Sequence, residues 1–262
     1  MTVGMSAAAD ILGVDGADHL DLDRSGGAVL QARGLCREYG TVIAVDGIDL
    51  SMAEGEFLTI FGPNGAGKST LLGMLAGAMR PTAGSVSVRG QALSSSDTDW
   101  RHRIGMLSHK GFLYGRLTVE ENLRFYGKLF GLTDLDERIP ARLEQVGLTR
   151  RIRFEARQLS HGMRQRLSLA RALLHDPDVV LLDEPYTGLD PSAASVLRNV
   201  LDELKDGRRT VVMVTHNLRE GLEMATRVAV QVAGRFAWEG DNTGLGRQDF
   251  ERHYYDVVEG LP

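Results

Sequence analysis

FGPNGAGKST, residues 61–70, closes the apolar run GEFLTIFG and leads into GKSTLLGMLAGAM. In that second segment Leu71, Leu72, Leu75 and Met79 recur at helical spacing until Pro81 intervenes. Strand, glycine-rich turn and helix in that order are the context of a phosphate-binding loop, and residues 62–69 fit its pattern G-x-x-x-x-G-K-[ST]. The glycines let backbone N–H groups curl around phosphate, Lys68 reaches the outer phosphates, and the Ser69 hydroxyl is a ligand for Mg²⁺. A dinucleotide fingerprint is excluded, because its glycines come in another order and Lys68 has no task in it.

Outward from this loop the chain repeats one theme. VVLLDEP (residues 179–185) and TVVMVTH (residues 210–216) are continuous apolar runs with a helix-length segment between them, the pattern of parallel strands covered on both faces. The first run delivers Asp183 and Glu184 to the carboxyl end of a strand, where ligands of open sheets collect. Asp183 suits a metal and Glu184 the polarising of a water; His216, ending the second run, belongs to the same sheet edge and suits a γ-phosphate contact. His19, His102, His175 and His253 have no comparable context and receive no role.

Upstream, VLQARGLCREYG, VIAVDGIDLSM and GSVSVRG alternate as short antiparallel strands. Residues from about 97 to 159 are mostly helical. There Thr118 and Glu121 form a capping box before the apolar face Val119, Leu123, Tyr126 and Phe130, and Ile139, Leu143 and Val146 mark a second helix closed by Gly147. VAVQVAGRFAWEG reads as a hairpin, and Phe250, Tyr254 and Val257 mark a weak helix in a tail, residues 241–262. The chain is thus one α/β domain, residues 29–240, with a helical insertion.

Composition is that of an ordinary globular protein, with 43% hydrophobic and 25% charged residues. A formal net charge of −5 gives no electrostatic footprint for nucleic acid. Cys36 is the single cysteine, which rules out an internal disulfide, and it reads as a small buried hydrophobe. No apolar run approaches the roughly 20 residues of a membrane helix. Residues 1–28 carry five aspartates by Asp23 with few large apolar side chains, so disorder is expected and a signal peptide is not.

LSHGMRQR, residues 159–166, opens a cationic helix with a serine and a glycine, a second anion-facing helix start far from the first. Taken in order, these motifs resemble the ATP-binding subunits of ABC transporters, over about residues 29–240. GPNGAGKST is similar to that family's Walker A loop, VVLLDEP to its Walker B strand, LSHGMRQR to its signature, GLD (residues 188–190) to its D-loop and TH to its switch histidine. The resemblance implies a P-loop NTPase fold with a mostly parallel core sheet, a small antiparallel β part and a helical subdomain. It implies ATP and Mg²⁺ as ligands, with ATP bound by Gly62, Pro63, Asn64, Gly65, Ala66, Gly67, Lys68, Ser69 and Thr70 and adenine stacked on Tyr39. Glu184 and His216 become catalytic, and Ser69 and Asp183 become metal ligands. Ser160, His161, Gly162 and Met163 would cover the ATP held by a second copy in a head-to-tail homodimer, with Asp190 in the D-loop. The family further implies a separate integral membrane permease and a place on the cytoplasmic face of the cell membrane.

The chain departs from the family pattern at His109, where relatives carry a glutamine that meets Mg²⁺ and reports to the membrane subunit; His109 is therefore a candidate metal contact. That segment, with SHGMRQR, is similar to the haem-exporter ATPases of bacterial cytochrome c maturation, which implies haem export; the alternative is an exporter of a drug, lipid or polysaccharide. Chromosome-maintenance ATPases separate the two motifs by long coiled coil, which the interval from Lys68 to Ser160 lacks; translation-associated relatives carry two cassettes; and P-loop kinases lack LSHGM and the DEP strand.

Overall fold

The computed structural model describes residues 27–94, 98–109 and 111–260. The disorder expected of residues 1–28 falls, but for Gly27 and Ala28, outside the described residues. β1 (Leu30–Tyr39) and β2 (Val42–Met52) pair antiparallel, and β3 (Phe57–Phe61) runs into the phosphate loop and α1 (Lys68–Leu75). β4 (Ala83–Val88), β5 (Gln91–Ala92) and β6 (Ile104–Leu107) follow, then helices α2 (Val119–Leu129), α3 (Leu135–Gln145) and α4 (His161–Leu173). β7 (Val179–Asp183), α5 (Pro191–Glu203), β8 (Thr210–Val214), α6 (Leu218–Met224), β9 (Arg227–Val232), β10 (Arg235–Asp241) and α7 (Arg247–Glu259) complete the order.

Two sheets result. The larger runs β10-β9-β3-β8-β7-β6, parallel except for the β9–β10 hairpin, and the smaller antiparallel one runs β2-β1-β4-β5. Every residue of β3, β7 and β8 is buried, because the sheet is covered on both faces. On one face Leu58, Ile60, Leu181 and Val212 pack with Leu71 and Leu72 of α1 and with the small sheet; on the other Leu182 and Met213 pack with Leu123, Leu143 and Leu167 of the inserted helices. Thr118 accepts from the Glu121 N–H while the Glu121 carboxylate accepts from the Thr118 N–H, so the capping box sets the start of α2.

Three expectations need correction. The helical insertion begins after Leu107, not near residue 97, because Ile104–Leu107 pairs in parallel with β7 and forms the edge of the core sheet. The tail, residues 241–262, set outside the domain of residues 29–240, packs on it: its expected helix is α7, which docks on the sheet through Phe250, whose ring lies 5.1 Å from that of Phe61. Cys36 is half-buried, with its sulfur accepting a contact from the Gly47 N–H at 3.2 Å.

Candidate nucleotide site

The phosphate loop owes its shape to crowding behind it. Gly62 has φ 156° and Gly67 has φ 96°; a Cβ on Gly62 would lie 2.1 Å from the Gln231 carbonyl oxygen, and one on Gly67 would lie 1.9 Å from that of Ala44. Only glycine tolerates both the backbone and the closeness. The Gly234 N–H, in the tight β9–β10 turn, holds the loop from outside through the Ala66 carbonyl at 3.1 Å. Asn64 and Gly65 form the exposed tip, and Pro63 and Thr70 are half-buried. α1 then starts at Lys68 with no side-chain cap and no acid in its first turn, so its N–H groups point at the loop's concave side.

Lys68 is buried, and its ammonium donates to the carbonyls of Gly62 (2.6 Å) and Pro63 (3.0 Å). Burial lowers its pKa, opposed by the nearby carboxylates of Glu184 and Asp183. The Ser69 hydroxyl donates to Asp183 Oδ1 at 2.9 Å across the gap between α1 and the end of β7. Burial raises the Asp183 pKa, opposed by that Ser69 bond, while the Glu184 charge raises it further; the His109 backbone N–H also bonds this carboxylate. A hydroxyl beside a carboxylate made costly by burial fits Mg²⁺, which takes one or two protein oxygens and completes its shell with phosphate and water. No cage of three or more His, Cys, Asp or Glu residues exists among the described residues.

Glu184 sits one residue beyond the strand with φ 47°, a conformation rare outside glycine. Its N–H donates to the Val214 carbonyl at 3.0 Å. Its carboxylate accepts from His216 Nδ1 at 2.8 Å, from Thr215 Oγ1 at 3.1 Å and from Thr187 Oγ1 at 3.4 Å. The carbonyl-side end of the sheet thus brings Lys68, Ser69, Asp183, Glu184 and His216 together. Thr215 and Thr187 are absent from the motif-based reading; their signal was their position, one residue before His216 and three after Glu184.

Ser160 caps α4, its hydroxyl accepting from the Met163 N–H at 3.3 Å, and no acid stands in the first turn. Gly162 is buried where a Cβ would lie 2.9 Å from Ala193, which fixes α4 against α5. His161 Nε2 meets the Thr187 carbonyl at 3.2 Å, and Asp190 caps α5 by accepting from the Ala193 N–H at 2.8 Å. Gln165 donates to the Pro185 carbonyl at 3.2 Å, tying the signature helix to the segment after Glu184. No hydrogen bond joins Ser160 or Met163 to the phosphate loop among the described residues. Tyr39 donates to Met79 Sδ at 2.9 Å, and the Arg37 guanidinium stands 4.6 Å over its ring, so a base stacking on Tyr39 would have the other face.

Comparison with known proteins bears on the family and the fold. A family model described as "ABC transporter" matches residues 45–187. The chain is 38% identical over 215 residues to the Nod factor export ATP-binding protein I of Cupriavidus metallidurans, covering 81% of this chain and 71% of that one. It is 33% identical to the linearmycin resistance ATP-binding protein LnrL of Bacillus subtilis, covering 83% and 70%. Among solved structures it is similar to the dimeric bacterial ABC transporter cassette MJ0796, with a TM-score of 0.75 and 27% identity over 82% of this chain and all of that one. A post-hydrolysis dimer of the same cassette bound to ADP and Pi gives a TM-score of 0.74.

Proposed function

We propose, from the premise that this chain belongs to the ABC transporter family and is an ABC-type ATPase, that it powers an export permease for a drug, lipid or polysaccharide. The relatives named for Nod factor export and for linearmycin resistance favour that alternative over haem export, to which they lend no support. The observation that carries the catalytic half is the Glu184 carboxylate held by His216, Thr215 and Thr187 beside the Ser69–Asp183 pair. In this reading the phosphate loop and Lys68 hold the ATP phosphates, with Thr70 and Tyr39 completing the nucleotide's surroundings. Ser69 and Asp183 would hold Mg²⁺, which neutralises charge on the phosphates, while His109 stays beside the metal pair through its main chain. Glu184 takes the proton of the attacking water, and His216 fixes the carboxylate and faces the γ-phosphate. Ser160, His161, Gly162 and Met163 cover the nucleotide of a second copy, arranged head to tail, and Asp190 shapes the adjoining turn.

The permease of this reading is a separate membrane protein; among the described residues no helix is long and apolar enough to cross a bilayer. Phe112, Tyr114, Phe125 and Leu129, all exposed large apolar side chains on or beside α2, offer a surface for it, which supports a place at the cytoplasmic face of the membrane. Deleting the gene in its host tests the export reading against the haem reading. Covalently bound haem in c-type cytochromes should be unchanged, while sensitivity to the exported class of compound rises. Loss of the cytochrome haem would overturn the proposal and restore haem export.

A further inference from the structure

Gln231 is fully buried in β9, yet neither its side-chain nitrogen nor its oxygen has a hydrogen-bond partner among the described residues. Leaving an amide unpaired in the interior is costly, and an apolar side chain of the same shape would fill the place without that cost. Its surroundings are specific. The residue follows the β3–β9 register Phe61↔Val230, so its main chain lies against Gly62. Its Nε2 and the Ala44 carbonyl oxygen converge on Gly67, 3.0 and 1.9 Å from where a Cβ would stand. The orphaned amide therefore backs the turn whose inner side faces phosphate. In this structure that turn is closed upon its own lysine, with Lys68 engaging the Gly62 and Pro63 carbonyls. A nucleotide competing for the Lys68 ammonium must release those carbonyls and redistribute the loop's hydrogen bonds.

We infer that Gln231 is a positioning residue of the phosphate loop, its carboxamide pairing with the loop backbone and the Ala44 carbonyl in the nucleotide-held arrangement of the loop. The amide is then a cost carried by the free protein and recovered on binding, so it shifts the loop's two arrangements towards the bound one. The inference rests on the nucleotide-site reading above, and it makes the signs of two effects opposite.

The test compares the full chain with Gln231→Met and Gln231→Leu by thermal unfolding without nucleotide and by calorimetric binding of MgADP. Both variants should unfold higher, by about 2 °C, since an unpaired buried amide is removed. Both should bind MgADP about fivefold more weakly, the worth of one hydrogen bond. The ATPase loss should lie in KM, with kcat at saturating ATP falling by less than about twofold. Variants that lose stability and affinity together would make Gln231 a packing residue and overturn the inference, as would variants that bind MgADP like the parent. Lys68→Ala separates this from failure of the site itself: if it binds MgADP like the parent, the phosphate-loop reading falls; if it does not, only the role of Gln231 is at stake.

Discussion

Glu184 holds a left-handed backbone conformation that costs a non-glycine residue about 1–3 kcal/mol. The surroundings over-determine it: the main chain is tied to Val214, and the carboxylate is tied to His216, Thr215 and Thr187. Strain of that kind persists where it aims a functional group, here a carboxylate standing one residue beyond the Asp183–Ser69 pair. Because the carboxylate Oε1 can only accept, His216 Nδ1 carries a proton, and Nε2 would contact a phosphate oxygen only where that nitrogen carries a proton as well. Glu184→Gln keeps the shape and most of these contacts but removes the base. ATP turnover should fall by about 10²–10⁴-fold, the usual weight of general-base assistance, while nucleotide binding stays within a few fold. With hydrolysis blocked, the ATP-bound dimer should accumulate on size exclusion. Turnover at the parental rate would remove Glu184 from its assigned role.

Elements are joined at the edges of the insertion, and His175 is one of the joints. It follows α4, its ring stacks on Phe130 at 3.9 Å and 14°, and its Nε2 donates to the Ile104 carbonyl at the start of β6 at 3.0 Å. Burial lowers its pKa to about 4, helped by His102 and Arg171 and opposed by the Ile104 bond and Asp176. An unfolded histidine titrates near 6.5, so the folded value is depressed. Stability is therefore complete above pH ~6.5 and falls as the pH drops towards 4, because the unfolded chain takes up the proton first. Between pH ~6.5 and 5 the loss should be about 2 kcal/mol. Denaturant unfolding of His175→Gln, which retains a donor for the Ile104 carbonyl, should give a lower stability that varies less with acid; equal slopes for parent and variant would refute this. The motif-bearing strands were legible because their apolar runs end in charged or glycine-rich signatures. β6 was not, since four residues carry too little period to tell strand from helix and its pairing with β7 is non-local. The docking of α7 was hidden for the same reason: its apolar spacing is visible, but Phe61 lies far upstream. In the site, Lys68, Asp183, Glu184 and His216 were readable from motifs; Thr187 and Thr215 stand beside those motifs, but their bonds to Glu184 appear only in the fold, and so does the burial of the unpaired Gln231 amide.

At the scale of the whole molecule, the two anion-facing helix starts need explaining together. α1 begins uncapped beside Lys68, and α4 begins at Ser160 with no acid in its first turn, yet no hydrogen bond connects Ser160 with the phosphate loop in the same chain among the described residues. A solved structure similar to this chain is a dimeric cassette; in the proposed head-to-tail dimer the partner's nucleotide would bring a phosphate to the first turn of α4. Within the chain the two ends are mechanically linked: Gln165 ties α4 to Pro185, and His161 meets Thr187, which itself bonds Glu184. Each copy would then sense its partner's ATP at α4 and answer at its own Glu184. Complementation tests the arrangement. Lys68→Ala disables a chain's phosphate loop, and Ser160→Arg disables the surface offered to the partner; each alone should be inactive, because every site of either homodimer contains one lesion. In an equal mixture half of the dimers are mixed, and each of those has one site built from two intact parts. About a quarter of parental sites is thereby restored, and the mixture should regain up to about 25% of parental ATPase activity, rising with protein concentration. Activity that never exceeds the average of the separate variants would mean that each chain completes its own site, and the head-to-tail dimer would have to be abandoned.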